Sequence, residues 1–93
     1  MLAVFAKLKV KTGGEEDFLA VANDLVKFSR KELENITYDF CKSDTVENEY
    51  FFIERWESHT SLESHQNSRH YIEAMDVFED LVEDRQVIIG KSL

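Results

Sequence analysis

The sequence predicts an α+β protein with the ferredoxin-like order βαββαβ, in which both helices cover one face of a four-stranded antiparallel sheet. Four short segments alternate apolar and polar residues, with the period of a half-buried strand. Two longer segments carry apolar residues at the i, i+3, i+4, i+7 spacing of an amphipathic helix. No repeat or linker interrupts this order, so residues 1–93 are expected to form a single domain.

The first strand is predicted for residues 2–11, where one row of side chains is apolar and the other carries three lysines. A glycine-containing turn follows, in which Thr12 has capping-box spacing to Glu15. The first helix is predicted from Glu15 to about Leu33, with Asn35 as a left-handed cap.

Aromatic and β-branched residues favour strands in two further segments, and serines of N-cap type precede the later helical pattern. The remaining predicted elements are a strand over residues 36–43, a strand over 49–57, a short helix opened by Ser58 or Thr60, a helix over about 69–83 capped by Ser68, and a strand over 86–93.

Composition excludes several classes of function. The 93 residues carry 11 Lys+Arg and 19 Asp+Glu, a net charge of −8, which disfavours nucleic acid and anionic membrane surfaces. One cysteine excludes an intrachain disulfide and a cysteine-based zinc site. No run approaches the roughly 18 apolar residues of a membrane span. The start runs from apolar to basic, the reverse of a signal peptide, so a cytoplasmic protein is expected.

The predicted sheet has apolar residues on both faces, although the helices cover only one. An uncovered apolar face of this size is a liability for a soluble monomer, so a homodimer through the sheet faces is expected. The alternative is a monomer with a few exposed hydrophobic side chains. The residues assigned to the uncovered face are Ala3, Phe5, Phe51 and Ile53.

Glu54 is the first candidate for chemistry, because it lies mid-strand in the same row as Phe52 and Trp56. A carboxylate among aromatic side chains either pairs with an arginine or has its pKa raised by desolvation. A raised pKa would suit a general acid or base, whereas pairing would make it a structural ion pair. The candidate partners are Arg55, Arg69 and Arg85.

The three histidines, His59, His65 and His70, lie within 12 residues of one another. His65 and His70 are five residues apart, about 140° around an ideal helix, unlike the i, i+4 spacing of a zinc-binding helix. A break at Asn67–Ser68 could bring them together, but no metal is expected. The preferred interpretation is that a histidine acts as a base or hydrogen-bond donor beside a pocket. The alternative is that the histidines cap helices or form hydrogen bonds between them.

At several positions the chain resembles the antibiotic biosynthesis monooxygenase (ABM) family of dimeric α+β barrel proteins. The resemblance covers nearly the whole chain and identifies the fold better than the substrate. Its motifs are Val10-Lys11-Thr12-Gly13 with Glu16 and Phe18, then Ser29-Arg30-x-Glu32, Tyr38-Asp39, Phe52-Ile53-Glu54-Arg55-Trp56-Glu57-Ser58, Leu62, His65, Ser68 and His70-Tyr71.

The resemblance implies a homodimer whose protomers each hold a pocket between helices and sheet. Members of this kind oxidise phenolic or quinol-like substrates without metal, flavin or haem, by deprotonating a phenol whose anion reacts with O₂. The matching positions imply Glu54, His65 and His70 as catalytic residues. Trp56, Phe52 and Tyr71 are the expected substrate-binding residues.

Two departures from the family pattern matter. Many relatives carry Glu-Pro-Gly-Cys after the first helix, where this chain has Glu32-Leu33-Glu34-Asn35, so the turn must be made differently. Haem-degrading members use an Asn, Trp, His set. The equivalent positions here are Ala6, His65 and Met75, which disfavours haem degradation.

Three functions follow from these features. The first is a cofactor-independent monooxygenase acting on a small quinol-like or polyketide-like aromatic substrate. The second is an acid/base isomerase acting on a small carbonyl signal metabolite, which needs the same Glu and His but no O₂. The third is a non-catalytic dimer that binds a small ligand.

Overall fold

The computed structural model describes residues 1–93, and its elements follow the predicted order with the second helix in two pieces. They are β1 (Leu2–Val10), α1 (Glu15–Ser29), β2 (Asn35–Lys42), β3 (Glu49–Trp56), α2 (His59–Gln66), α3 (Arg69–Leu81) and β4 (Val82–Lys91).

The four strands form one sheet in the order β2-β3-β1-β4, and all three pairings are antiparallel. Because β1 pairs with both β3 and β4, the edges of the sheet are β2 and β4. The predicted ferredoxin-like α+β fold is therefore confirmed, with the strand register running from Leu2 opposite Trp56 to Lys9 opposite Glu49.

The core lies between the sheet and the helices. Alternation places Tyr50, Phe52, Glu54 and Trp56 of β3 on the helix side, where all four are buried. Phe18 of α1 meets them from the helix layer and is fully buried, 5.2 Å from the ring centre of Tyr50. This aromatic packing fixes the helices over β2, β3 and β1.

The first helix is shorter than its apolar period predicted, because it ends at Ser29 rather than near Leu33. After Ser29 the backbone tightens into i to i−3 bonds, in which Glu32 N–H donates to the Ser29 carbonyl at 3.1 Å. Glu34, with a φ of 69°, supplies the left-handed residue predicted at Asn35, and Asn35 opens β2. This turn aims Glu32 at the second half of the helix layer.

The capping box predicted for Thr12 and Glu15 is not formed. Gly14 is the N-cap of α1, and the Glu15 carboxylate instead accepts from Gly13 N–H at 3.0 Å. A Cβ at Gly14 would lie 3.3 Å from both Leu81 Cδ2 and the Lys11 carbonyl oxygen, so a larger residue here would need a small shift of its neighbours.

The last strand begins at Val82, four residues before its predicted start, and α3 ends at Leu81 rather than Glu83. The helix passes directly into the strand, because the ladder with β1 continues past an irregularity at Lys9/Val10 to pair Val10 with Val82. At the other caps the prediction holds, since Ser58 and Ser68 accept from Ser61 N–H and Tyr71 N–H.

None of the helices has both the length and the apolar character needed to cross a membrane.

Candidate active site

A cavity lies between the sheet and the helices, on the side of β4. Its volume is about 70 Å³, and it opens to the surface. The walls are mostly apolar, with Tyr38, Glu54, His65, Tyr71 and Arg85 as polar exceptions. The other lining residues are Val4, Ala6, Leu8, Leu25, Phe52, Leu62, Gln66, Met75, Val87 and Ile89. Such a concave apolar site with few polar groups is typical of small-molecule pockets.

Glu54 is the buried acid of this cavity, with 6 % of its surface exposed. Its Oε1 accepts a hydrogen bond from the Trp56 indole Nε1 at 3.0 Å. Burial raises the pKa of Glu54 to about 7, against the lowering effect of the Trp56 hydrogen bond and with a further rise from the charge of Glu32. No arginine pairs with it, so Glu54 can both donate and accept a proton near neutral pH.

His65 is the second polar group of the cavity and is 1 % exposed. Its ring is surrounded by aromatic side chains, with the ring centre of Trp56 at 4.5 Å, that of Tyr71 at 4.9 Å and that of Tyr38 at 5.4 Å. Burial lowers the pKa of His65, although the hydrogen bond and the charge of Glu32 oppose that effect. Burial therefore favours the neutral form of the imidazole.

Glu32 fixes the orientation of that imidazole. Its Oε2 lies 2.5 Å from Nδ1 of His65 and 2.8 Å from Nε2 of His70. A carboxylate only accepts, so a neutral His65 must carry its proton on Nδ1. The Nε2 atom of His65 then keeps its lone pair, and it is buried without any hydrogen-bond partner. Nε2 is therefore the atom of His65 that is available to accept a proton.

The structure brings four of the six predicted site residues to the cavity: Glu54, His65, Phe52 and Tyr71. Trp56 is fully buried behind Glu54 and reaches the cavity only through its hydrogen bond to that carboxyl. His70 lies on the other side of Glu32, where its ring stacks on Phe28 at a centroid distance of 5.9 Å.

Glu32 is the residue that sequence reasoning missed. It belongs to the Ser29-Arg30-x-Glu32 motif, which was the available signal, but its partners lie 33 and 38 residues later in the chain. Because α1 ends at Ser29, the turn that follows directs the Glu32 side chain toward His65. The ligand atoms of Glu32, His65 and His70 all lie within 4.8 Å of one another, so these residues could hold a metal ion.

The mouth of the cavity is formed by β4 and α3. Arg85, Val87 and Ile89 lie on the helix-facing row of β4, and the latter two are half-exposed. The Arg85 guanidinium approaches the Met75 sulfur at 4.0 Å. Burial and the charge of Glu54 raise the pKa of Tyr71, while Arg85 lowers it, so the Tyr71 hydroxyl remains a neutral donor.

Comparison with known proteins agrees with this geometry. Residues 1–77 match the family model described as antibiotic biosynthesis monooxygenase. A Bacillus subtilis protein named "Putative monooxygenase YcnE" is 32 % identical over 71 residues, covering 76 % of this chain and 75 % of that protein. The uncharacterized Synechocystis protein sll1783 is 28 % identical over 81 residues, 87 % of this chain, and the chain spans only 55 % of its length.

Among solved structures, PA3566 from Pseudomonas aeruginosa superposes with a TM-score of 0.92 at 25 % identity. The match covers 99 % of this chain and 93 % of PA3566. Fold, motif positions and family match agree over most of the sequence. The chain therefore belongs to the antibiotic biosynthesis monooxygenase family.

Proposed function

We propose that this protein is a cofactor-independent monooxygenase that oxidises a small quinol-like or polyketide-like aromatic substrate with O₂. The observation that carries the proposal is that Glu54 and His65 line the same apolar cavity. One group has a pKa of about 7 and the other presents a free imidazole nitrogen. Family membership supports the same reaction class.

In the proposed reaction, His65 Nε2 removes the proton of a phenol hydroxyl. The phenolate gives one electron to O₂, and the resulting radical and superoxide combine to form a bond between a ring carbon and a peroxide. Glu54 protonates the outer peroxide oxygen. Loss of the hydrogen on that carbon to the Glu54 carboxylate then breaks the O–O bond and leaves a carbonyl and hydroxide. The hydroxide takes the proton held by His65 and leaves as water.

These steps balance without an external reductant. The substrate loses one O–H and one C–H hydrogen and gains one oxygen atom, and the second oxygen atom of O₂ becomes water. The cavity supports the chemistry because its apolar walls exclude water from the anion. Phe52 and Tyr71 offer aromatic surfaces against which a flat substrate can lie.

We also propose that the working unit is a homodimer joined through the outer sheet faces. On that face Phe5 and Phe51 contact each other with ring centres 5.4 Å apart, beside half-exposed Ile53 and Ile88. No element of the chain covers this apolar surface, and association would remove it from water.

The test uses 1,4-dihydroxynaphthalene, an oxygen electrode and ¹⁸O₂, with non-enzymatic autoxidation subtracted. The proposal expects one O₂ consumed per quinol, a hydroxylated naphthoquinone with one ¹⁸O atom, and no hydrogen peroxide. Glu54→Gln and His65→Gln should each lower kcat at least about 100-fold, the size of a general acid or base effect. His59→Gln, which changes an exposed histidine, is the matched control.

Other results would overturn the proposal. Peroxide formation without hydroxylation would show a simple oxidase. Turnover of a small hydroxyketone without O₂ uptake would indicate acid/base isomerisation. Ligand binding that is unchanged in both variants, with no turnover of either substrate, would indicate a binding protein.

A further inference from the structure

We propose that Glu32, His65 and His70 form a binding site for one divalent transition-metal ion per chain, of the Zn²⁺ type. The ligand atoms are Glu32 Oε2, His65 Nδ1 and His70 Nε2, which lie within 4.8 Å of one another. This site lies on the Nδ1 side of the His65 ring, across the ring from the unpartnered Nε2.

Three separate elements bring these atoms together. Glu32 comes from the turn after α1, His65 from the last turn of α2, and His70 from the first turn of α3. The two histidines can meet because α2 stops at Gln66 and α3 restarts after the Ser68 cap. A continuous helix would have turned them about 140° apart.

The donor set fits the ion. Two imidazole nitrogens and one carboxylate oxygen form a three-ligand set used by zinc, with bonds of about 2.0–2.2 Å and an open fourth position. Such bond lengths place tetrahedral ligand atoms roughly 3.4 Å apart. The present separations from Glu32 Oε2 are 2.5 and 2.8 Å, so each must widen by less than about 1 Å. The third pair, His65 Nδ1 and His70 Nε2, lies within 4.8 Å and must approach by at most about 1.4 Å.

Charge and access also favour an ion. The Glu32 carboxylate forms no ion pair with Lys or Arg, and the side chains that hydrogen-bond to it are those of the two histidines. A cation would therefore meet a carboxylate that no fixed positive charge neutralises. His65 is closed off, but Glu32 and His70 are 15 % and 23 % exposed at their side chains, so the ion can enter from their side.

Metal binding has a consequence for the cavity, and this part rests on the proposed function. A metal on Nδ1 forces the proton of a neutral His65 onto Nε2. The nitrogen that would accept the phenol proton then becomes a donor. Zn²⁺ should therefore inhibit the proposed oxygenase, and a chelator should restore it.

The experiment is equilibrium dialysis of the tag-free full chain against ZnCl₂, with bound zinc measured by mass spectrometry and Co²⁺ absorption as a second probe. We expect one Zn²⁺ per chain and a four-coordinate Co²⁺ spectrum. Glu32→Gln and His70→Gln should weaken binding at least about tenfold, since even outer-shell changes do so. His59→Gln and Glu34→Gln, both exposed, are matched controls and should bind normally.

The inference is overturned if the wild-type chain retains no zinc at micromolar concentration, or if Glu32→Gln binds as well as the controls. Because this readout needs no substrate, its failure would leave the oxygenase proposal standing. Zinc binding by the wild-type chain, together with no oxygenase turnover after a chelator has removed the metal, would overturn the proposed function alone.

Discussion

The Trp56 indole donates its Nε1 proton to Glu54 Oε1 at 3.0 Å, between two residues that share the helix-facing side of β3. This bond satisfies one lone pair of a carboxyl that is buried among aromatic side chains. One neutral donor cannot replace the lost water, so the pKa of Glu54 stays near 7. The strand therefore builds a titratable group and its support within three consecutive residues.

The first prediction concerns stability against pH. In the unfolded chain Glu54 ionises near pH 4.5, whereas in the folded chain its pKa is about 7. Between these values the folded state binds more protons, so this group destabilises the fold progressively as the pH rises. The unfolding free energy of Glu54→Gln should therefore exceed that of the wild type. This difference should grow by about 3 kcal/mol between pH 4.5 and pH 7.

Urea unfolding at fixed protein concentration measures that margin. The contribution of His65 runs in the opposite direction, since burial lowers its pKa, but it is common to both chains and cancels in the difference. Glu63→Gln, at an exposed position of α2, should show no such pH-dependent margin. A constant difference between the Glu54 variant and the wild type would contradict a raised pKa.

The second prediction separates the two neighbours of Glu54. The indole hydrogen bond lowers the pKa of Glu54. Trp56→Phe removes that bond, so the pKa of Glu54 should rise above its wild-type value. Glu32→Gln removes a negative charge that raises it, so the pKa of Glu54 should fall. A ¹³C NMR titration of the Glu54 carboxyl gives both values. Shifts of the same sign would show that general loosening, rather than these two contacts, controls the carboxyl.

The third prediction concerns assembly. Ile53→Lys places a charge at the centre of the apolar outer face, opposite Phe5 and Asp39 on the neighbouring strands. Sedimentation should change from a species of twice the chain mass to the single chain, because a buried lysine opposes association. Ile72→Lys changes another exposed isoleucine, on α3, and should remain dimeric. A monomeric wild type would end the dimer proposal.

The fourth prediction concerns the cap of α2. Ser58 Oγ accepts from Ser61 N–H at 3.2 Å, and Ser61 Oγ accepts from Ser58 N–H at 3.0 Å. Ser58→Ala should cost about 1 kcal/mol of unfolding free energy, measured by thermal melting. Ser64→Ala, within the same helix and exposed, should cost nothing. Equal melting temperatures would mean that packing of Leu62 and His65 alone holds the helix.

Sequence periodicity predicted the fold because each element has one clear period. Strand β3 shows why: its alternation placed Phe52, Glu54 and Trp56 in one row, and the structure buries all three. The boundaries were less certain where no glycine or proline marks a change. Val82 follows α3 without a loop, and its strand conformation comes from pairing with Val10, a contact that no local pattern reveals.

The site was predictable only in part, for the same reason. Glu54 could be singled out because a carboxyl among aromatics is unusual within a single strand. Glu32 could not be singled out, because its contacts with the histidines depend on where α1 ends and on packing against residues more than 30 positions away. His70 was assigned to the site with His65 from the family's matching positions. The structure joins both histidines to the Glu32 carboxylate, but only His65 lines the cavity.

Strand β4 is the edge strand of the sheet that lines the cavity. It pairs with β1 only, and all of its residues from Glu83 onward are exposed. Val87 and Ile89 of this edge strand line the mouth, whereas Glu54 lies on the interior strand β3. The entrance and the acid therefore belong to different strands, so a substitution in β4 can reshape the entrance without altering the strand that holds Glu54.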